Sequence, residues 1–121
     1  MYRPAYISGD PNALAELIGN LLSNAIQYTP TGGSVRVRVT LADNHVLLAV
    51  SDTGIGIAAS ALPRIFEGFY RAENAKQVFH SGTGMGLPIV KRLVETHGGA
   101  LSVNSTPGQG TTFTVTLPAT D

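Results

Sequence analysis

Residues 35–51, VRVRVTLADNHVLLAVS, contain the pattern that decides the fold. Over 35–41, valine and leucine alternate with arginine and threonine, which is typical of a half-buried β-strand. Residues 46–50 are all apolar, which indicates that the second strand, predicted over 45–51, is more deeply buried. Asp43-Asn44 between the two strands is typical of a hairpin turn. The stretch therefore predicts two adjacent antiparallel strands.

A long amphipathic helix is predicted on each side of this hairpin. The first covers residues 11–28, where apolar side chains recur at helical spacing, with Asp10 as its N-cap and Pro11 in its first turn. The second begins near Leu87 and ends at Gly98-Gly99.

Three further segments complete the predicted order of elements. A short helix is predicted over 60–66, and residues 71–84, which show no clear period, are interpreted as a mobile loop. Strands over 101–105 and 111–117, joined by a turn over 107–110, form a second hairpin. Two hairpins imply antiparallel pairing, and two amphipathic helices must cover one face of the sheet. The predicted fold class is therefore α+β, a two-layer α/β sandwich with a mixed, mostly antiparallel sheet.

Composition excludes several classes of function. The chain has 121 residues, with 43% hydrophobic and 13% charged, which predicts one domain over 1–121. It has no cysteine, which excludes disulfide scaffolds, thiolate zinc sites and cysteine nucleophiles. A formal net charge of zero argues against nucleic-acid binding. Because no apolar run approaches the roughly 20 residues that span a bilayer, a soluble chain without direct membrane contact is expected.

Asn20 and Asn24 lie one helical turn apart on the polar side of the first helix. Asparagine is a poor residue for the middle of a helix, so packing gives no reason for two of them there. Their carboxamide oxygens could ligate a hard cation such as Mg²⁺. A solvent-exposed face that tolerates asparagine is the equally weighted alternative.

Asp52 stands at the end of the buried strand, in the segment DTGIGI over 52–57. It is either a turn former or an acceptor of N–H hydrogen bonds, and as an acceptor it would suit an exocyclic amine. Residues 54–59 also match G-x-G-x-x-A. A dinucleotide site is excluded because the preceding strand belongs to a hairpin and no second parallel strand follows.

Glycines alternate again in GTGMGL, residues 82–87, which lead directly into the second helix. Such a segment is either a flexible turn or a backbone cradle for phosphate at a helix N-terminus. It is not a P-loop, because it lacks Lys-Ser/Thr. Arg71, after the aromatic block 66–70, is either a surface charge or a group that meets terminal phosphate. The three histidines have no metal-site spacing, and no nucleophile motif is present.

Together and in this order, these groups resemble the ATP-binding catalytic domain of bacterial sensor histidine kinases, in the superfamily shared with gyrase and MutL ATPases. The resemblance covers nearly the whole chain. Its motifs are the N box at Asn20–Ala25, the first glycine box at Asp52–Ile57, the F box at Ile65–Arg71, the second glycine box at Gly82–Leu87 and the closing turn at Gly108–Thr111.

The resemblance implies roles for the matched residues. Asn24, with Asn20, would coordinate Mg²⁺, Asp52 would bond the adenine amine, and a lid over about 71–86 would close over the phosphates. The residues implied to contact ATP are Asn24, Tyr28, Asp52, Gly54, Gly56, Ile57, Gly82, Thr83, Gly84, Met85, Gly86, Leu87 and Thr111. Those implied to act in phosphoryl transfer are Asn20, Asn24 and Arg71.

The implied activity is that of a histidine protein kinase. The γ-phosphate of ATP would pass to a histidine on a separate dimerisation domain of the parent kinase, and from there to a response regulator. Because none of the three histidines has the context of a phosphoacceptor, the chain itself is not expected to autophosphorylate. The isolated domain is expected to be monomeric and cytoplasmic, in a parent anchored in the membrane. The alternatives are an anti-sigma-type serine kinase, which the F box disfavours, and a module that binds nucleotide without catalysis.

Three positions depart from the family pattern. Gln27 replaces a Lys or Arg that contacts phosphate, so restoring lysine there is expected to raise turnover. Met85 replaces a leucine, a mild change in volume. Only residues 2–8 precede Asp10, so the usual first strand is mostly missing and an uncovered sheet edge is expected.

Overall fold

The computed structural model describes residues 6–62, 65–66 and 86–120. Arg71 and residues 82–85 lie outside this range, as does the predicted lid except for Gly86.

The described strands form one antiparallel sheet. They are β1 (Tyr6–Ile7), β2 (Val35–Ala42), β3 (His45–Asp52), β4 (Ala100–Thr106) and β5 (Gly110–Thr120). β5 pairs with β3 and β3 pairs with β2, while β4 and β1 pair with different parts of β5. Both predicted hairpins are confirmed. In the first, Asp43 and Asn44 adopt left-handed backbone angles, with φ of 49° and 65°, which a tight turn between strands requires.

Two long helices cover one face of this sheet, as the two-layer prediction requires. α1 (Pro11–Gln27) begins at Asp10, whose carboxylate accepts the Asn12 amide at 3.0 Å. α2 (Gly86–Thr96) is followed by Gly98 at φ 72°, the left-handed residue that commonly ends a helix. α1 packs against α2 and β3, and α2 packs against β4. No helix among residues 6–62 and 86–120 is long and apolar enough to cross a membrane.

The core lies between these two layers. Its most completely buried side chains are Leu17 and Leu21 from α1, Val90 and Val94 from α2, and Val50, Phe113 and Val115 from the sheet. Each such burial contributes about 1.5–3 kcal/mol. The alternating burial of β5 places Phe113, Val115 and Leu117 toward the helices and the intervening threonines on the opposite face.

β2 is less buried than its alternation predicts, so the expectation of a half-buried strand is wrong. Val37, Val39 and Leu41 are 46%, 60% and 44% exposed. They share a face with Val46, Leu48 and Val50 of β3, which are buried. The reason is the position of β2, which is the last strand of the sheet among the described residues, while α1 packs on β3.

Two other expectations are modified by the structure. Of the predicted short helix over 60–66, residues 60, 61, 65 and 66 form turns and Leu62 is in 3₁₀ conformation, while the Ala61 amide bonds the Ala58 carbonyl at 2.9 Å. Residues 63 and 64 lie outside the described range. The first strand, expected to be mostly missing, is present in two described residues of β1, which pair with the end of β5.

Candidate functional site

Asp52, the last residue of β3, carries a carboxylate held by backbone amides. Its Oδ1 accepts the Gly54 amide at 2.9 Å, and the nearby Thr111 backbone amide also favours the ionised form of the carboxyl group. Burial raises the pKa of Asp52 above its ordinary value of 3.8, and these two amides act in the opposite direction without cancelling the effect. The site therefore presents a partly desolvated hydrogen-bond acceptor at the end of a rigid strand.

Gly54 brings this carboxylate against the end of α1. A Cβ at Gly54 would collide with the Tyr28 carbonyl oxygen and lie 2.9 Å from Asp52 Oδ1. The same carbonyl accepts the Ile55 amide at 3.2 Å. Only glycine allows this approach, so Gly54, the second residue after the buried strand, and Tyr28, which caps α1, are held in direct contact.

Gly56 makes a second close approach, to the end of β4. It has φ of 73°, and a Cβ there would collide with the Thr106 carbonyl oxygen. On either side of it, the Ile55 carbonyl accepts the Gly108 amide at 2.8 Å and the Ile57 amide donates to Ser105 Oγ at 2.7 Å. Residues 53–57, called the glycine loop below, are thus fixed to the end of β4 and to the turn between β4 and β5.

Ser105 is a site residue that the motif spacing does not reveal. Its hydroxyl group donates to the Gly110 carbonyl at 3.0 Å, lies 2.7 Å from Thr111 Oγ1 and accepts from Ile57. Thr111 is 6% exposed and is the buried polar residue of the described range. A serine in an alternating strand gives no signal of this role, which depends on three segments brought together by folding.

Asn20 and Asn24 lie one turn apart on α1 and are both half-buried. Asn20 Nδ2 donates to the Glu16 carbonyl at 2.9 Å, which leaves its amide oxygen available as a ligand. The Asn24 main-chain carbonyl accepts the Tyr28 amide at 3.2 Å, which places Asn24 one helical turn before the residue that contacts Gly54.

The amide oxygens of α1 suit a hard cation that takes its other ligands from water and from a bound phosphate compound. Among residues 6–62, 65–66 and 86–120, no three His, Cys, Asp or Glu side chains cluster in a way that could hold a metal ion. Amide oxygens from α1 supply only part of a coordination shell, which is the situation in which Mg²⁺ keeps waters and takes phosphate oxygens.

The structure brings together most of the described residues that the motifs predict. Those connected by the contacts above are Tyr28, Asp52, Gly54, Gly56, Ile57 and Thr111. Asn24 lies on the last turn of α1, before Tyr28. Leu87, in the first turn of α2, packs against the core. Arg71, Gly82, Thr83, Gly84 and Met85 lie outside the described residues, and of Gly86 only its place at the start of α2 is described.

Comparison with known proteins agrees with this arrangement. The family model described as "Histidine kinase-, DNA gyrase B-, and HSP90-like ATPase" matches residues 9–121. Sensor histidine kinase CusS of Escherichia coli is 44% identical over 93% of the chain. Sensor histidine kinase WalK of Bacillus subtilis is 38% identical over 96% of the chain. The chain spans only 23% and 19% of the lengths of these two relatives.

Solved structures give the same result for the fold. The mycobacterial sensor histidine kinase MprB superposes with a TM-score of 0.88 at 36% identity, over 96% of this chain and 78% of that one. Full-length ShkA in complex with AMPPNP superposes with a TM-score of 0.77 at 36% identity, over 93% of this chain and 23% of that one. The chain therefore belongs to the histidine kinase-, DNA gyrase B- and HSP90-like ATPase family, as a catalytic domain of the sensor histidine kinase type.

Proposed function

We propose that this chain binds Mg–ATP and donates the γ-phosphate to a histidine on a separate domain of its parent kinase. The observation that carries the proposal is the Asp52 carboxylate, which accepts the Gly54 amide at 2.9 Å and is thereby oriented. Because Gly54 has no side chain, this segment lies in direct contact with the end of α1. A carboxylate fixed in this way accepts the exocyclic amine of adenine. The structure of ShkA with AMPPNP supports an ATP-like ligand.

The metal would be held by Asn24 and Asn20. The two residues lie one turn apart on α1, and the Asn20 amide nitrogen is bonded to the Glu16 carbonyl, which supports a ligand role for the Asn20 amide oxygen. Bound Mg²⁺ would neutralise phosphate charge during transfer. The contribution of the protein would be to bind and orient the nucleotide, with Arg71 and the predicted lid over 71–86 acting on the terminal phosphate.

The acceptor histidine would come from outside this chain. His45 Nδ1 lies 3.0 Å from the Asp43 carbonyl in the hairpin turn, and His97 Nδ1 lies 2.8 Å from the Leu93 carbonyl at the end of α2. A local contact with a main-chain carbonyl thus gives each of these two histidines a structural role. A dimerisation domain of the parent would present the acceptor, and a response regulator would receive the phosphate from it.

The rest of the parent protein is also part of the proposal. Since the chain spans about a quarter of CusS and less of WalK, most of the parent lies outside it. We place this domain in the cytoplasm, as a monomer when isolated, in a parent that is anchored in the membrane. An anti-sigma-type serine kinase is not favoured, because the relatives named above are sensor histidine kinases.

The direct test is calorimetric titration of Mg–ADP into the chain and two variants, Asn24→Ala and Asp52→Ala. Binding that requires Mg²⁺ and weakens about tenfold or more in each variant is expected, since a hydrogen bond to a charged group contributes about 1.5–3 kcal/mol. Circular dichroism establishes that each variant is folded.

Matched controls come from the same elements. Asn12→Ala changes an exposed asparagine of α1, and Asp43→Asn changes an exposed aspartate in the hairpin turn. Both should bind Mg–ADP like the original chain. A folded chain that binds no Mg–ADP, or one whose binding survives both site variants, would contradict the proposal.

A further inference from the structure

A groove of about 500 Å³ lies on the face of the sheet opposite the helices. Small side chains of the central strand form its floor and larger ones of the neighbouring strands form its sides. The floor is Ala49 and Ser51 of β3, and the sides are Arg36 and Arg38 of β2 and Thr112 of β5. The volume falls in the range of small-ligand sites, about 300–1,000 Å³.

Strand register places these side chains together. Arg36 and Arg38 pair with Ser51 and Ala49, and Ser51 pairs in turn with Thr112. In β3 and β5, the groove residues alternate with side chains that are buried beneath the helices. Because successive side chains of a strand point to opposite faces, the groove is on the side of the sheet away from α1.

The two arginines are exposed and close to each other. Arg36 and Arg38 lie about 7 Å apart along β2, on the same face of the strand. Within residues 6–62, 65–66 and 86–120, neither guanidinium group forms an ion pair or a hydrogen bond. Their mutual repulsion is therefore not offset by a carboxylate of the described chain, and an anion between them would be favoured.

The hydroxyl groups of the groove supply a further donor. Ser51 Oγ lies 2.9 Å from Thr112 Oγ1. One O–H is used between the two oxygens, and among the described residues neither hydroxyl has another partner. The second O–H of the pair can therefore donate to a ligand.

Asp52 borders the groove at one end, where an anion is disfavoured. Its side chain has the same position in the strand alternation as the buried Val50, and its Oδ1 accepts the Gly54 amide. The carboxylate is thus directed toward the helix side. An anion is favoured at the other end of the groove, between Arg36 and Arg38.

This set of groups matches a phosphate better than a carboxylate. Each guanidinium group can donate two parallel hydrogen bonds to phosphate oxygens. A phosphate monoester has three terminal oxygens and a charge of about −1.5 to −2 at neutral pH, which balances two arginines. A carboxylate has two oxygens and one charge, and would leave part of the donor set unused.

We propose that this groove binds the phosphate group of a small phosphate monoester. Arg36 and Arg38 hold the phosphate oxygens, and the Ser51–Thr112 hydroxyl pair donates one further hydrogen bond. The groove is separate from the site proposed for ATP, and binding there requires neither Mg²⁺ nor the glycine loop.

The test is titration of methyl phosphate into the ¹⁵N-labelled chain, without Mg²⁺ or nucleotide and with sodium chloride holding the ionic strength constant. The amides of Ser51 and Thr112 and the Nε–H signals of Arg36 and Arg38 should shift with saturation. Acetate, titrated in the same way, should bind about threefold or more weakly, because it has one charge and two oxygens.

Charge removal at the groove has a matched control on α2. Arg36→Gln/Arg38→Gln keeps two long polar side chains and should bind methyl phosphate about fivefold or more weakly. Lys91→Gln/Arg92→Gln removes the same net charge from two exposed positions and should bind like the original chain.

A second groove variant tests the hydroxyl pair without a change in charge. Ser51→Ala/Thr112→Val removes both O–H groups and should weaken binding by about threefold or more. The amide spectrum of each variant reports whether it is folded.

Four outcomes would overturn the proposal. They are the absence of saturable shifts in the groove, binding of acetate as tight as that of methyl phosphate, unchanged binding in either groove variant, and an equal loss of binding in the α2 variant. Saturable shifts confined to the glycine loop and the start of α2 belong to the first outcome, and would assign the phosphate to the nucleotide site.

Discussion

At the scale of single residues, Asp52 is subject to two opposed requirements. Its role as an acceptor for an amine requires the ionised carboxylate, while its burial favours the neutral acid. Because the folded-state pKa is raised above the ordinary value of 3.8, the ionised group lowers stability. This penalty is absent below the unfolded-state pKa, grows as the pH rises through the folded-state pKa, and is fully present above it.

We therefore expect Asp52→Asn to bind Mg–ADP about tenfold or more weakly than the original chain at neutral pH, with the difference narrowing at low pH. Protonation of Asp52 removes the acceptor from the original chain, whereas asparagine does not titrate. The ratio of the two dissociation constants, measured by calorimetry across the pH range, isolates this group because titration of the phosphates cancels in the ratio.

The stability of the original chain relative to Asp52→Asn should change with pH in the opposite sense to its relative affinity for nucleotide. Denaturant titration is expected to show that the original chain loses stability relative to Asp52→Asn as the pH rises from about 4 toward neutrality. A binding ratio that does not change with pH would show that the charge of Asp52 does not contribute to nucleotide affinity.

Gly54 supports a prediction about stability, because the residue packs so closely against Tyr28 that there is no space for a Cβ atom. Gly54→Ala would drive a methyl group into the Tyr28 carbonyl oxygen, and we expect a loss of about 1–3 kcal/mol. Gly19→Ala in α1, where a Cβ would meet nothing within 4 Å, should instead gain about 0.5–1 kcal/mol.

Thermal or denaturant unfolding of both glycine variants checks this contrast. A Gly54→Ala variant as stable as the original chain would mean that the loop and the end of α1 can separate at little cost.

At the scale of elements, the site depends on how loops are fixed to strands. Ser105 in β4 joins the glycine loop to β5 through Ile57, Gly110 and Thr111. The hydroxyl group therefore positions the loop without any contact to a nucleotide being required. Removing it leaves a part-buried amide without its acceptor.

We expect Ser105→Ala to lower the free energy of unfolding by about 1–3 kcal/mol and to weaken Mg–ADP binding. Ser102→Ala, an exposed position on the same strand, should change stability by no more than about 0.5 kcal/mol and leave binding unchanged. If the two serine variants unfold and bind alike, the hydroxyl of Ser105 has no positioning role.

Elements were predictable from sequence where local chemistry and tertiary packing agree. The apolar stripe and Asp10 place α1 within one residue of its observed end at Gln27, and alternation places both hairpins. β2 shows the limit of this reasoning. Its alternation gives the strand and its register, but burial depends on whether a helix lies above it, which no local pattern contains.

In the site too, some residues were predictable from local sequence and others were not. Asp52 and Gly54 stand out because their motif is local and strained, whereas Ser105 acts across 48 residues on Ile57. Contacts of that kind are set by strand register.

At the scale of the whole molecule, the proposed chemistry requires two domains. The chain contains three histidines, and the two within the described residues contact main-chain carbonyls, His45 at the hairpin turn and His97 after α2. We therefore expect no phosphate on His45, His80 or His97 after incubation with γ-labelled Mg–ATP.

Phosphotransfer to a separate dimerisation domain bearing the acceptor histidine should occur under the same conditions, detected as acid-labile label on that domain. A variant of the acceptor domain without its histidine provides the control. Label on a histidine of this chain, or acid-stable label on a serine of the partner, would contradict the assignment.

The bonds that fix the glycine loop have a further consequence for local opening of the fold. The Gly108 amide donates to the Ile55 carbonyl at 2.8 Å, and the Ile57 amide donates to Ser105 Oγ at 2.7 Å. Loop amides usually exchange with deuterium through small local fluctuations. These two can exchange only when the loop and the turn between β4 and β5 separate, so their exchange should be as slow as that of the sheet. The glycine loop and this turn would therefore be ordered before a nucleotide binds. The conformational entropy lost on binding would come from other parts of the chain.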